Sequence, residues 1–319
     1  MIESGSLSVE LSFVIPAYNE QDNIIETIHR VVTEAERLVS SFELILVDDG
    51  SSDNTCELIK SKIASFKCLR LIRFSRNFGK EHAIMAGLEK SSGNAVVILD
   101  ADLQEPLSYL ESMLKYRDEG YEMVYAVRAS RVDETLRKRL FTKLFYNLLN
   151  YGTDSVIPAN ARDFRLMDRR VVDAICSLPE RNRFMKGLFG WVGFRTKEIP
   201  IRLERRAAGE SKFGFKNLFK LGLTAITAFT AWPLRVWTAI GVFVATLSIL
   251  FGAWVILRTL LFGVDLPGWA SLVVAISFLG GIQLISIGVL GEYIARIFVE
   301  VKGRPSFIIA EDISSFDEH

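Results

Sequence analysis

Two long uncharged stretches near the C-terminus restrict the fold of this chain more than any other feature of its sequence. Residues 236–257 and 269–290 contain no Asp, Glu, Lys or Arg, and a short turn with Gly263 and Pro267 joins them. Each stretch runs for about 22 residues, which is long enough for a helix to cross the hydrocarbon core of a bilayer. Two core helices of a soluble protein would be similarly apolar, but paired spans with a tight turn favour a transmembrane hairpin.

The charges around this hairpin indicate its orientation. Positive residues cluster before and after it, whereas its turn side carries only Arg258. By the positive-inside rule, the N-terminal part and the C-terminus are both expected in the cytoplasm. Residues 213–232 mix lysines with apolar residues, which predicts an amphipathic helix in the membrane interface, ended by Pro233. The predicted units are a cytosolic domain of residues 1–212, the interfacial helix 213–232, the two spans within 233–297, and a cytosolic C-terminal tail of residues 298–319.

Overall charge and cysteine content exclude several classes of function. Lys plus Arg and Asp plus Glu both number 38, so no nucleic-acid partner is expected. Cys56, Cys68 and Cys176 are odd in number and lack metal-ligand spacing, which indicates reduced thiols rather than a disulfide framework. The first ten residues have neither a basic region nor a long apolar one, so a signal peptide is not expected.

The first 200 residues alternate apolar strand patterns with helical ones, which predicts βαβ units and an α/β fold with a mostly parallel, Rossmann-like sheet. Polar residues follow several of the strands, so they are expected to converge along one edge of the sheet, where nucleotides bind. Neither GxGxxG nor GxxxxGK[ST] is present, so a dinucleotide-binding site and a P-loop are not expected. The predicted strands are residues 11–15, 44–47, 69–74, 96–99, 123–127 and 197–203.

The fourth predicted strand ends in two carboxylates, Asp100 and Asp102, that are spaced one residue apart. If the strand geometry persists, both point to the same side of the sheet. Paired hard oxygens suit Mg²⁺ or Mn²⁺ held together with a substrate phosphate. A polar strand end that caps a turn is the alternative for this motif taken alone.

Residues 133–151 predict a helix with a basic face. Arg137 and its neighbours lie beside an apolar stripe. Two interpretations of the basic face remain. It is either a solvated face above a stripe of core residues, or a surface that binds anionic lipid head groups or a phosphate.

Six motifs occur in a characteristic order along the chain. They are VIPAYNE at 14–20, VDDGSSD at 47–53, RNFGK at 76–80, DADLQEP at 100–106, DFRL at 163–166 and GESK at 209–212. With these motifs and the hairpin, the chain resembles the inverting GT-A glycosyltransferases of family two, specifically the polyprenyl-phosphate glycosyltransferases, which include dolichol-phosphate mannose synthases and bactoprenol glucosyltransferases. The resemblance covers roughly residues 12–212, and the hairpin matches the bactoprenol branch.

The resemblance implies three sets of site residues. Asp102 and Gln104 are the implied ligands of Mg²⁺ or Mn²⁺, and Asp100 contacts the sugar or the metal shell. Asp163 is either a base or the orienter of a phosphate-binding arginine, so the implied catalytic set is Asp100, Asp102 and Asp163. In the family a glycine often precedes this aspartate, whereas this chain has Arg162. The implied nucleotide-sugar residues are Pro16, Ala17, Tyr18, Glu20, Val47, Asp49, Ser51, Lys80, Asp100 and Ala101. The implied acceptor-phosphate residues are Arg128, Arg131, Arg137, Arg206, Ser211 and Lys212.

The implied reaction is transfer of a hexose, with inversion, from a nucleotide sugar to a polyprenyl phosphate at the cytoplasmic membrane face, for lipopolysaccharide or other cell-envelope glycosylation. UDP-glucose and undecaprenyl phosphate are the expected pair, with GDP-mannose second and a modified arabinose donor third. A processive synthase is disfavoured because the QxxRW motif is absent before the spans, and a transporter would need more spans. A non-catalytic membrane scaffold is the remaining alternative. Packing of several hairpins into a homo-oligomer is a hypothesis.

Overall fold

The computed structural model describes residues 9–129, 161–181, 183–202, 232–262 and 268–315. The predicted helix at 133–151, residues 213–231 of the predicted interfacial helix 213–232, and the turn at 263–267 lie outside these residues. Within them, an eight-stranded sheet is flanked by helices and followed by two long helices.

The sheet is mostly parallel and has the strand order β7-β5-β6-β4-β1-β2-β3-β8. Strands β4, β1, β2 and β3 run parallel to one another, as do β5 and β7. Strand β6 is antiparallel to both of its neighbours, and β8 is antiparallel to β3. The strands are β1 (Leu11–Ala17), β2 (Phe42–Asp48), β3 (Leu69–Phe74), β4 (Ala95–Ile98), β5 (Met123–Arg128), β6 (Ala161–Asp168), β7 (Thr196–Ile201) and β8 (Ile309–Ser314).

Helices cover both faces of this sheet. Alternate residues of β1 show why: Phe13 and Ile15 pack in the larger apolar cluster with α1, whereas Val14 packs with α3 on the opposite face. The central strand β4 is accordingly apolar and buried along its whole length, as the sequence predicts. The helices are α1 (Ile24–Leu38), α2 (Thr55–Ile63), α3 (Lys80–Lys90), α4 (Tyr109–Asp118), α5 (Arg169–Ser177), α6 (Met185–Trp191), α7 (Trp232–Phe262) and α8 (Trp269–Val301).

Two elements of the sheet were not predicted. Residues 161–168 form β6, after which Asp168 caps α5 by accepting a hydrogen bond from the Arg170 N–H at 3.2 Å. The segment predicted as a C-terminal tail contains β8, which forms the sheet edge beside β3. The polypeptide therefore returns from the long helices to the sheet.

Helices α7 and α8 contain the two predicted spans. The segments Val236–Phe262 and Phe278–Val301 are long and apolar enough to cross a membrane, and neither is buried inside the protein. Their apolar side chains, such as Phe243, Leu260 and Phe278, are exposed. An uncovered apolar surface of this length is suited to lipid.

Candidate active site at the carboxyl ends of the strands

Three carboxylates lie together where the chain leaves β4. Oxygens of Asp100, Asp102 and Glu105 are all within 4.8 Å of one another. The chain turns through Leu103, whose φ is +48°, and the Gln104 N–H donates a hydrogen bond to Asp102 Oδ1 at 3.3 Å. Carboxylate oxygens at this spacing fit a divalent cation, and the buried Oε2 of Glu105 has no hydrogen-bond partner among the described residues.

Asp102 and Gln104 are the metal ligands that the family resemblance implies, and the structure brings Asp102 into this cluster. Gln104 is half-buried beside it. Glu105 was not assigned a role, although a third acid so close to Asp100 and Asp102 was a signal that could have found it.

Lys80 joins the cluster to Asp163. Its Nζ lies 2.5 Å from Asp100 Oδ1 and 2.5 Å from Asp163 Oδ2. Although burial disfavours the ammonium group, the Asp100 and Asp163 carboxylates raise the pKa of Lys80 well above its ordinary range. Lys80 was assigned to nucleotide-sugar binding, and the structure places its ammonium between two residues of the implied catalytic set.

Asp163 also faces Lys186 of α6, which sequence reasoning did not find. Lys186 Nζ lies 3.9 Å from Asp163 Oδ1 and donates a hydrogen bond to the Ala161 carbonyl at 3.1 Å. Burial opposes the charge of Asp163, but Lys80 and Lys186 together hold the pKa of this carboxyl well below its usual range. The Asp163 carboxylate is therefore held in its ionised form between two ammonium groups.

A second ion pair lies on the other face of β6. The Arg162 Nε donates to Glu105 Oε1 at 2.7 Å, and Arg162 Nη2 lies 2.6 Å from the same oxygen. Burial, followed by the nearby Asp100, raises the pKa of Glu105, whereas Arg162 opposes this rise. Arg162 and Asp163 are adjacent in a strand, so their side chains point to opposite faces.

Arg165 supports this strand end from within the core. It is 2% exposed, its guanidinium carbon lies 3.5 Å from the centre of the Phe189 ring, and its Nη2 donates to the Arg162 carbonyl at 2.9 Å. Burial lowers the pKa of Arg165 to about 10. The motif DFRL contains this arginine, but no local pattern indicates that it packs on α6.

Asp49, at the end of β2, holds the loop that leads into α3. Its Oδ1 accepts from the Phe78 N–H at 2.7 Å and its Oδ2 accepts from the Gly79 N–H at 2.9 Å. Burial raises the pKa of Asp49, while these two backbone hydrogen bonds lower it. Asp49 was expected to contact the nucleotide, and the structure places it against the backbone of the RNFGK motif.

The loops after β1 and β2 are fastened to each other. The Asn19 N–H donates to Ser51 Oγ at 2.9 Å, and Asn19 Oδ1 accepts from the Ser52 N–H at 2.9 Å. The Glu20 N–H donates to the Thr55 hydroxyl at 2.9 Å. Among the implied nucleotide-sugar residues, Tyr18 is 40% exposed and borders this loop pair. Pro16, Ala17, Val47 and Ala101 are buried.

The implied acceptor-phosphate residues are mostly not described. Arg128, at the end of β5, is half-buried. The other five, Arg131, Arg137, Arg206, Ser211 and Lys212, lie outside the described residues.

Comparisons with known proteins match both parts of the chain. Residues 12–176 match the domain "Glycosyl transferase family 2", and residues 232–297 match "GtrB C-terminal hairpin". An uncharacterized glycosyltransferase of Synechocystis sp. is 45% identical, over 96% of this chain and 96% of the relative. A prophage-derived bactoprenol glucosyl transferase of Shigella flexneri is 45% identical, over 94% of this chain and 97% of the relative. A prophage bactoprenol glucosyl transferase homolog of Escherichia coli is 42% identical, over 94% and 98%.

Proposed function

Because this chain belongs to glycosyl transferase family 2, and is a glycosyltransferase associated with membranes through a GtrB-type hairpin, we propose that it glucosylates a lipid phosphate. The proposed donor is UDP-glucose, the acceptor is undecaprenyl phosphate, and the product is a polyprenyl-phosphate sugar for the cell envelope. The observation that carries this proposal is that relatives named bactoprenol glucosyl transferases match the sheet domain and the hairpin together. Transfer at the cytoplasmic membrane face, with inversion at the anomeric carbon, is part of the proposal.

The donor is proposed to bind across the ends of β1, β2 and β4. Tyr18 borders the pair of loops fastened through Asn19 and Ser51, and Asp49 keeps the next loop in place through two backbone hydrogen bonds. These loops are therefore fixed before the donor arrives, which reduces the entropy lost on binding. Glu20 and Asp53 support the same pair of loops: Thr55 accepts from the Glu20 N–H, and Asp53 accepts from Gln21.

Mg²⁺ or Mn²⁺ bound at Asp102 would neutralise the diphosphate of the donor and of the departing nucleotide. Asp100 and Lys80 flank that position, and their pairing at 2.5 Å sets the direction of the Asp100 carboxylate. Gln104 would supply a further oxygen ligand to the cation.

Asp163 is proposed to position Lys80 and not to act as the base. A polyprenyl phosphate is already anionic at neutral pH, so its oxygen attacks without losing a proton to the enzyme. The harder task is to bring two anions together, and Lys80 and Lys186 beside Asp163 supply positive charge near the reacting centre. Arg128, Arg131, Arg137, Arg206, Ser211 and Lys212 are proposed to receive the acceptor phosphate, since guanidinium groups bind phosphate through paired hydrogen bonds.

The proposal is tested with full-length protein in detergent, Mn²⁺ or Mg²⁺, and undecaprenyl phosphate. Labelled UDP-glucose and labelled GDP-mannose are supplied in separate reactions, and organic extraction measures the glycolipid. We expect lipid product from UDP-glucose. Product from GDP-mannose alone would overturn the choice of donor.

A second arm separates the enzyme from a non-catalytic scaffold. Asp102→Ala removes a carboxylate from the cluster and should abolish transfer while leaving the circular dichroism spectrum unchanged. Full activity in this variant would overturn the role of the cation, and absence of transfer by the parent protein with every donor would favour the scaffold.

A further inference from the structure

The position of Glu105 is unusual for a residue in a turn after a strand. It is 3% exposed and follows Gln104 directly, whereas a loop carboxylate is ordinarily solvated. Its Oε1 receives both contacts from Arg162, at 2.7 Å from Nε and 2.6 Å from Nη2. The guanidinium therefore leaves Glu105 Oε2 without a hydrogen bond among the described residues, although this atom is also buried.

A buried carboxylate oxygen without a partner is strongly destabilising, so it calls for a cation or a donor. Arg162 does not supply one to Oε2. The Asp100 and Asp102 carboxylates also lie within 4.8 Å of Glu105, but they are hydrogen-bond acceptors and their negative charges repel it. A divalent cation bound between these three carboxylates would be coordinated by all of them and would remove their mutual repulsion.

We propose that Glu105 is a third carboxylate ligand of the cation, added to Asp102, and that Arg162 is the positioning residue that fixes it. This inference rests on the proposed metal-dependent function and deepens it. Arg162 comes from β6, whereas the three carboxylates follow β4, and these strands pair directly in the sheet. The ion pair thus ties the metal loop to the strand that carries Asp163 on its other face.

The test is Mn²⁺ binding, measured by electron paramagnetic resonance of free Mn²⁺ with full-length protein in detergent, with and without UDP. Glu105→Gln keeps the size of the side chain but removes the charge. Loss of a group that supports a metal site weakens metal affinity by about 10- to 100-fold, and we expect a rise in Kd of at least that size for Glu105→Gln. Glu111→Gln is the matched control, because Glu111 is exposed on the helix that follows and pairs with Arg37. We expect its Kd to stay within about twofold of the parent, since exposed charges are well screened.

Glu105→Gln leaves the half-buried Arg162 without its carboxylate, so it can fail to fold for that reason alone. The double variant Glu105→Gln/Arg162→Gln removes both charges of the ion pair, so no unpaired charge is left to prevent folding. We expect the same rise in Kd in the double variant, and a loss of most of the increase in Tm that Mn²⁺ gives the parent protein. A double variant that folds and binds Mn²⁺ like the parent would overturn the inference and leave Glu105 with a purely structural role. Absence of Mn²⁺ binding by the parent would instead overturn the proposed metal dependence as well.

Discussion

The Lys80 ammonium lies 2.5 Å from Oδ2 of Asp163, and it makes an equally short contact with Asp100. Lys80 begins α3, Asp163 lies in β6, and Asp100 follows β4, so one side chain connects three elements. Without its positive charge, the carboxylates of Asp100 and Asp163 would face each other across the same gap. Lys80 therefore links the segment that follows β4 to strand β6 at the candidate active site.

Lys80→Met should lower the rate of sugar transfer by about 100-fold, the usual effect of removing one charge-stabilising group from an active site. The pKa of Asp163 should rise, because Lys80 is the main group that lowers it. The measurement is kcat of the variant and of the parent protein at pH 7.

Lys90→Met is the control for this substitution. Lys90 lies at the other end of α3, its side chain is 40% exposed like that of Lys80, and it pairs with Asp312 at 3.4 Å. It is remote from the carboxylate cluster, so kcat should stay within about twofold of the parent, as expected for an exposed pair. Equal losses in both variants would contradict the special role of Lys80.

The sequence predicted the parts of this fold that depend on local patterns. The bounds of β3 agree with the prediction residue for residue, and the predicted glycosyltransferase fold with a C-terminal membrane hairpin is confirmed. The apolar runs before Asp48 and Asp100 indicate buried strands, and the two acids mark where those strands end. Both acids are therefore placed correctly at the carboxyl edge of the sheet.

The remaining features depend on partners distant in sequence. Asp49 was expected to meet the nucleotide, yet its oxygens bind the backbone of Phe78 and Gly79, which no local pattern indicates. Strand β8 has six residues, of which four are half-buried and two are exposed, so its apolar pattern is weak. More than 200 residues of chain separate it from β3, the strand with which it pairs. The metal, nucleotide and acceptor assignments stay predictions.

Gly50 is required by the close approach of two loops, and Gly50→Ala should destabilise the protein and weaken UDP binding. Its φ is +67°, and an added Cβ would lie 2.5 Å from the backbone carbonyl carbon of Arg76. The loop of Arg76 is the one that Asp49 holds, so the clash should displace both. Tm and the Kd for UDP are the measurements.

Gly193→Ala separates backbone strain from the clash. Gly193 has a similar φ of +71°, but its added Cβ would meet nothing closer than the Trp191 carbonyl oxygen at 3.9 Å. It should lose about 1–2 kcal/mol for the left-handed conformation alone. UDP binding should be unchanged, and a loss of stability in Gly193→Ala as large as that in Gly50→Ala would argue against the clash.

Glu81 should make the stability of the protein depend on pH. Burial, followed by the nearby Asp163, raises the pKa of Glu81 from 4.5 to about 7, while the Met185 N–H, Lys80 and Lys186 oppose the rise. Between these two values the folded state binds the proton more tightly than the unfolded state, so stability falls as pH rises through this window. Glu81→Gln should therefore gain Tm relative to the parent between pH 5 and 8. Parallel Tm curves for the two proteins would show that Glu81 titrates normally.

Deleting residues 308–319 should expose the edge of β3 and loosen the attachment of α8 to the sheet. Strand β8 pairs with β3, the Ser75 N–H donates to the Ile308 carbonyl at 3.0 Å, and the Arg70 guanidinium binds Asp312 at 2.8 and 2.9 Å. Amide exchange across residues 69–75 should accelerate, because backbone groups paired with β8 become open to water. Deleting only residues 316–319 leaves β8 intact and serves as the control, with exchange expected to match the parent. If the longer deletion left the protection of residues 69–75 unchanged, the C-terminal strand would not be what covers this edge in solution.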